Sequence, residues 1–161
     1  MTNALTTAPN EMVGNGDFAS GGSGNDTITG DPDNAWIENL FGGAGHDTIK
    51  GYGAADVIDG GDGDDDIEGG AGADNIKGGA GDDSIDAGSD NDRVYGGEGD
   101  DDIEAGDGND DVYGNEGDDT IQGDAGNDEI WGGAGNDIIE GNGGDDVIRG
   151  EQGDDILLGG D

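Results

Sequence analysis

The chain is 161 residues long and carries 42 acidic against 4 basic side chains, for a formal charge of -38, with 40 glycines and only 29% hydrophobic residues. Such a chain buries too little apolar surface to offset ordering entropy and self-repulsion unless a cation is supplied. Four scattered bases exclude nucleic acid as a partner, the absence of any long apolar run excludes membrane insertion, and the absence of cysteine excludes disulfides and thiolate metal sites.

Taken in chain order, residues 1–20 (MTNALTTAPNEMVGNGDFAS) have neither a basic n-region nor an apolar h-region, so they do not form a signal peptide. Leu5, Met12, Val13 and Phe18 lie among polar and turn residues, and the expectation is a cap draped over the first rung or a loose segment. A first nonapeptide, GGSGNDTIT, runs from Gly21 to Thr29 and places Asp26 and Ile28 at its sixth and eighth positions. An irregular lead-in, GDPDNAWIENLF, then spans residues 30–41 in twelve residues instead of nine and lacks a position-six aspartate. We read it as a widened turn in which Asn39, Leu40 and Phe41 take the strand slot with Leu40 inward, while Trp36 and Ile37 cover neighbouring rungs; the rival register puts Ile37 in the core.

From Gly42 to Leu158 the sequence divides without a slip into thirteen nonapeptides. Position six is aspartate in all of them: Asp47, Asp56, Asp65, Asp74, Asp83, Asp92, Asp101, Asp110, Asp119, Asp128, Asp137, Asp146 and Asp155. Position eight is always aliphatic, from Ile49 to Leu157. Repeated glycines permit positive φ, so the first six residues of each unit are expected to turn and the last three to form a strand with one aliphatic facing inward. If each nonapeptide makes half a coil, eighteen residues close one turn and successive turns stack about 4.8 Å apart. The expected fold is all-β, a right-handed parallel β-roll of two parallel sheets occupying residues 21–161.

That stacking brings each aspartate together with glycine carbonyls in the gap between one loop and the loop eighteen residues on, an all-oxygen cage. Hard oxygen ligands in an irregular shell suit calcium at roughly 2.3–2.6 Å, whereas magnesium demands a stricter octahedron. Zinc and copper are disfavoured by the lack of cysteine and a single histidine, His46, whose place in its loop reads as solvent-facing. The metal-site candidates are therefore Asp26 and the thirteen aspartates from Asp47 to Asp155, with about eleven calcium ions if every gap between the continuous repeats fills. Each ion would add two positive charges, so binding and folding are expected to be one event.

The pattern G-G-x-G-x-D-x-U-x, here GGAGHDTIK, GGDGDDDIE and their successors, resembles the nonapeptide of the repeats-in-toxin (RTX) family. The stretch from Ile37 to Ile58 also resembles the lead-in to the β-roll of serralysin-type proteases. The resemblance implies an extracellular protein exported by type I secretion that folds outside the cell in millimolar calcium. In that family the export signal follows the repeats, and with repeats running to Leu158 the expectation is either a fragment or an unorthodox signal. No catalysis is expected, because one histidine cannot furnish a zinc-protease helix and the carboxylates repeat identically instead of forming a differentiated pair.

Two further features stand out at period eighteen. Position nine of alternate repeats reads Asp59, Lys77, Tyr95, Tyr113, Trp131 and Arg149, an aromatic ladder with a cation at each end. Two accounts stay open for it: same-face stacking worth about 0.5 to 1 kcal/mol per pair, or a strip for a glycan or protein. Toward the C-terminus the outward positions Ile138, Val147, Ile156 and Leu158 turn apolar, so docking of this end onto another segment, self-association or another chain end is expected. For function the candidates are a calcium-responsive structural or adhesive module of a matrix or surface layer, and the folding and export appendage of a secreted hydrolase.

Overall fold

The computed structural model describes residues 11–13, 18–32 and 36–160, with side chains from Phe18 onward. The strands in chain order are β1 (Glu11–Val13), β2 (Ala19–Ser23), β3 (Thr27–Thr29), β4 (Asn39–Ala44), β5 (Thr48–Gly53), β6 (Val57–Asp62), β7 (Asp66–Ala71), β8 (Asn75–Ala80) and β9 (Ser84–Ser89). They continue as β10 (Arg93–Glu98), β11 (Asp102–Glu104), β12 (Asp111–Glu116), β13 (Thr120–Gln122), β14 (Glu129–Ala134), β15 (Ile138–Glu140), β16 (Val147–Gln152) and β17 (Ile156–Leu158). Odd-numbered strands form a nine-stranded parallel sheet and even-numbered strands an eight-stranded one, each strand pairing with the strand two places on. The chain thus winds as a β-solenoid of about eight turns.

The register is eighteen residues: Ile49 faces Ile67 and Ile67 faces Ile85 in one sheet, while Ile76 faces Val94 and Val94 faces Val112 in the other. One inward aliphatic per nonapeptide therefore stacks into a column down each sheet, and Ile28 through Ile139 are at most 2% exposed. Leu157 was expected inward but is 46% exposed, because β17 is the outermost rung of its sheet and none of the described residues covers its inner face.

Strands run longer than the three residues expected. From β4 to β10 each spans six residues, from position seven of one unit to position three of the next. The hydrogen-bonded ladder carries on past position nine because position one again faces inward, continuing the alternation of positions six and eight. The core is accordingly wider than one residue in nine: Ala87 and Ala105, both at position one, are fully buried. The chain turns where φ is positive, at positions two and four. Gly43, with φ of 114°, lies so close to the preceding turn that a Cβ would collide with the Gly22 carbonyl. Where position two is not glycine, Tyr52, Asn115, Asp124, Asn142 and Glu151 adopt φ between 66° and 82°, the left-handed helical region that asparagine and aspartate tolerate best.

The N-terminal side joins the same architecture. β2 begins at Ala19, two residues before the expected boundary, and β1 pairs in parallel with β3. The cap expected over residues 1–20 falls largely outside the described residues, including Leu5 and the side chains of Met12 and Val13; Phe18 is described and its ring lies 5.3 Å from that of Phe41. In the irregular lead-in, Leu40 is fully buried and takes the strand slot as expected. Trp36 and Ile37 do not cover the neighbouring rungs. They are 74% and 58% exposed, because Glu38 fills the inward position ahead of Leu40 and turns Ile37 to solvent.

Candidate metal centre

Every position-six aspartate points into the solenoid. Asp26, Asp47, Asp56, Asp65, Asp74, Asp83, Asp92, Asp101, Asp110, Asp119, Asp128 and Asp137 are no more than 3% exposed, and Asp146 and Asp155 at the outer rungs are half-buried. Their two oxygens have separate environments. Oδ1 accepts the backbone N–H of the aspartate one turn earlier: the Asp47 amide donates to Asp65 at 2.7 Å, Asp92 to Asp110 at 2.7 Å, and Asp137 to Asp155 at 3.1 Å. Oδ2 of each aspartate from Asp47 to Asp146 is buried and has no hydrogen-bond partner. An orphaned carboxylate oxygen in a low-dielectric interior costs several kcal/mol in order of magnitude unless a cation or proton reaches it.

Main-chain carbonyl oxygens crowd in beside those carboxylate oxygens. At the position-one glycines, the point where a Cβ would sit lies against both the Oδ2 of the same loop and the carbonyl oxygen of position one in the next turn. At Gly21 these separations are 2.5 Å to Asp26 Oδ2 and 2.7 Å to the Gly42 carbonyl; at Gly69 they are 2.8 Å to Asp74 Oδ2 and 2.6 Å to the Ala87 carbonyl. That point lies one bond from the glycine Cα and is no ion position; the separations record that carboxylate and carbonyl oxygens of adjacent turns gather beside the same stretch of backbone, the hard donors that calcium takes at roughly 2.3–2.6 Å. No three acidic or histidine side chains converge on one point among the described residues. Each cradle combines a carboxylate oxygen with main-chain carbonyls, an all-oxygen donor set that suits calcium and lacks the histidine and cysteine ligands of zinc sites.

Electrostatics agree with the geometry. Burial, the largest cause, pushes Asp56 up to about 6, Asp65, Asp74 and Asp101 to about 7, and Asp92 to about 8. The amide hydrogen bond to Oδ1 opposes this rise, and neighbouring aspartates of the column reinforce it. A column of carboxylates stacked in register therefore disfavours its own ionisation until positive charge enters.

Glu38 is a residue the repeat pattern missed. It is 2% exposed, its amide donates to Asp56 Oδ1 at 2.8 Å, and its Oε2 reaches the cradle beside Gly30 while accepting the Asp31 N–H at 3.0 Å. It thus stands where a position-six aspartate would. The signal was present: Glu38 precedes Asp56 by eighteen residues and the inward Leu40 by two, as Asp47 precedes Ile49. His46 stays solvent-facing, with Nδ1 accepting the Asp64 N–H at 3.1 Å. It belongs to a second ladder in which exposed position-five side chains accept the amide one turn later, as Asn25 accepts from His46 at 3.2 Å, Asp82 from Asp100 at 3.0 Å and Asp100 from Asp118 at 2.8 Å.

On the outer face of the eight-stranded sheet Tyr95, Tyr113 and Trp131 stack with centroids 4.9 and 4.5 Å apart and planes within 11° and 4°, and the Arg149 guanidinium lies 5.3 Å from the Trp131 ring. Both faces of Tyr113 are covered by its neighbours. Lys77, at the other end, pairs with Asp59 at 3.5 Å. Lys50 with Glu68 and Arg93 with Asp111 likewise join residues eighteen apart, so all four basic side chains tie one turn to the next.

A solenoid of parallel strands with one inward carboxylate and a carbonyl-lined cradle in each nine-residue unit defines a calcium-binding β-roll. The sequence model of the RTX calcium-binding nonapeptide repeat matches residues 14–34, 37–67, 59–94, 68–103, 104–139 and 131–161. The chain belongs to that family. A search of curated proteins returned no match.

Proposed function

We propose that the position-six aspartates, together with Glu38, hold calcium through their inward oxygen and the glycine carbonyls, and that the chain becomes compact only as the ions bind. The observation that carries this reading is the buried, unpartnered Oδ2 recurring from Asp47 to Asp146. Without a cation these oxygens oppose folding; with one they are neutralised and link each turn to the next. Bound calcium supplies positive charge to the column, while the chain supplies the rigid glycine turns that aim the carbonyls.

The module acts outside the cell as a noncatalytic structural or adhesive element, folding where calcium is abundant after export through type I secretion. Its carboxylates form uniform columns without the differentiated acid and base that hydrolysis needs. The aromatic ladder serves stacking between turns, since both faces of Tyr113 and of Trp131 are taken up by neighbouring rings and Arg149, and Tyr95 lays one face on Tyr113. Far-UV circular dichroism during a calcium titration tests the central claim: strand signal should appear with calcium, vanish with chelator and fail to appear with equal magnesium. A chain that stays folded in excess chelator at neutral pH refutes it.

A further inference from the structure

We infer that two copies of the chain join end to end in calcium, with β17 of one copy pairing antiparallel to β17 of the other. This rests on the calcium reading above, because the end must be folded and its charge lowered before two copies can meet. β16 and β17 are the last strands of their sheets, and each pairs with one neighbour only. All three side chains of β17 are exposed aliphatics, with Ile156, Leu157 and Leu158 at 54, 46 and 47%. One turn earlier the same places hold Ile138, Ile139 and Glu140, and a turn before that Thr120, Ile121 and Gln122. The polar outward residues of the array thus give way to apolar ones at the terminal rung. Edge strands are commonly kept from pairing with other chains by charged residues or proline, and β17 has neither. The opposite edge of the same sheet, β1, carries Glu11.

The occupant is a second copy because this edge is complementary to itself. Reversed about Leu157, the segment Ile156-Leu157-Leu158 sets Leu157 opposite its own counterpart and Ile156 opposite the Leu158 of the second copy. Period-two alternation keeps both Leu157 side chains inward, where they extend the column of Ile121 and Ile139 and gain the cover that the terminal rung lacks. It also leaves two apolar cross-strand pairs of Ile156 with Leu158 on the outer face. The free backbone donors and acceptors of each edge are met by those of the other. Stacking β17 on β1 of the next copy, in the register of the solenoid, would instead set Ile156 level with Glu11, a carboxylate against an aliphatic. It would also run on without limit, whereas the two-fold contact uses up the edge of each copy and stops at two. At a formal charge of -38 metal-free chains repel one another, so association follows the loading of calcium.

Sedimentation of the full-length chain in saturating calcium, over a range of protein concentrations, should show the mass double from 15.9 kDa and rise no further, with no doubling in chelator. Ile156→Thr combined with Leu158→Gln gives the last strand the outward residues of β13. It should raise the Kd of the dimer about tenfold while circular dichroism in calcium stays native. The chain has no cysteine, so a cysteine pair reads the register: Ile156→Cys and Leu158→Cys copies, mixed and oxidised, should cross-link to each other in preference to themselves. Folded chains that stay monomeric at every concentration in calcium overturn the inference and leave calcium binding intact. A mass that keeps growing with concentration, or cross-linking without that preference, overturns it as well. A native chain that gains no strand signal in calcium overturns the underlying function instead.

Discussion

Asp100 and Asp101 are adjacent, both acidic, and opposite in direction, so changing each to asparagine separates a calcium cage from general charge. Either substitution reduces the net charge of -38 by one. If bulk repulsion governed stability, the two would act alike and slightly favourably. Asp100 is exposed, and its asparagine replacement still accepts the Asp118 N–H, so the cost should stay within about 0.5 kcal/mol. Asp101 is 2% exposed; in Asp101→Asn the amide oxygen could still accept the Asp83 N–H, but an NH2 donor would stand where the unpartnered Oδ2 now faces the cradle at Gly96. Removing one charged partner from a buried ionic site costs roughly 3 kcal/mol. In a cooperative array filled by about eleven ions, mass action spreads that cost over all of them, and the calcium midpoint moves by only about 1.6-fold. Thermal unfolding at fixed, saturating calcium is the sharper assay, because roughly 3 kcal/mol in a domain of this size lowers Tm by about 9 °C, against less than about 2 °C for Asp100→Asn. Equal Tm shifts for the two variants would refute the inward-oxygen argument.

Tyr113→Thr removes both stacking contacts of the central ladder ring and should cost about 2 kcal/mol, or roughly 6 °C, in calcium without changing the number of ions bound; calorimetry with parallel dialysis checks both halves. Ile103→Ala opens a void in a fully buried column and should cost about 3 kcal/mol, read as a lowered Tm in the calcium-loaded form. The pH response should reverse with calcium. In chelator, the raised pKa values of Asp65, Asp74, Asp92 and Asp101, about 7 to 8 when folded against 3.8 as the reference, mean that the folded chain binds more protons than the unfolded one. Metal-free stability should therefore rise as pH falls from about 8 toward 4 and be lost again as pH climbs through 7 to 8, whereas calcium affinity should weaken over the same acidification; circular dichroism in the two buffers distinguishes the slopes. Glu38→Gln should lower the ion count by about one, measured by the same dialysis.

Most of the architecture was legible in the residues themselves, since each nonapeptide solves the same local problem: glycines where φ turns positive, an aspartate at position six, an aliphatic at position eight. A strict period also dictates register, because a one-residue slip would turn every isoleucine outward. What depended on the assembled turns was of another kind. Residues 30–41 allow either Ile37 or Leu40 to face inward on local pattern alone; the ladder resolves the choice, with the Glu38 amide bound to Asp56 and Leu40 level with Ile58. Likewise, the ring faces of Tyr113 and Trp131 were free or spent only according to the spacing of their rungs, and position one proved to belong to the core only through the burial of Ala87 and Ala105. A linear pattern can specify which way a side chain points. The space it meets there is set by backbone carbonyls one turn away, eighteen residues along the chain.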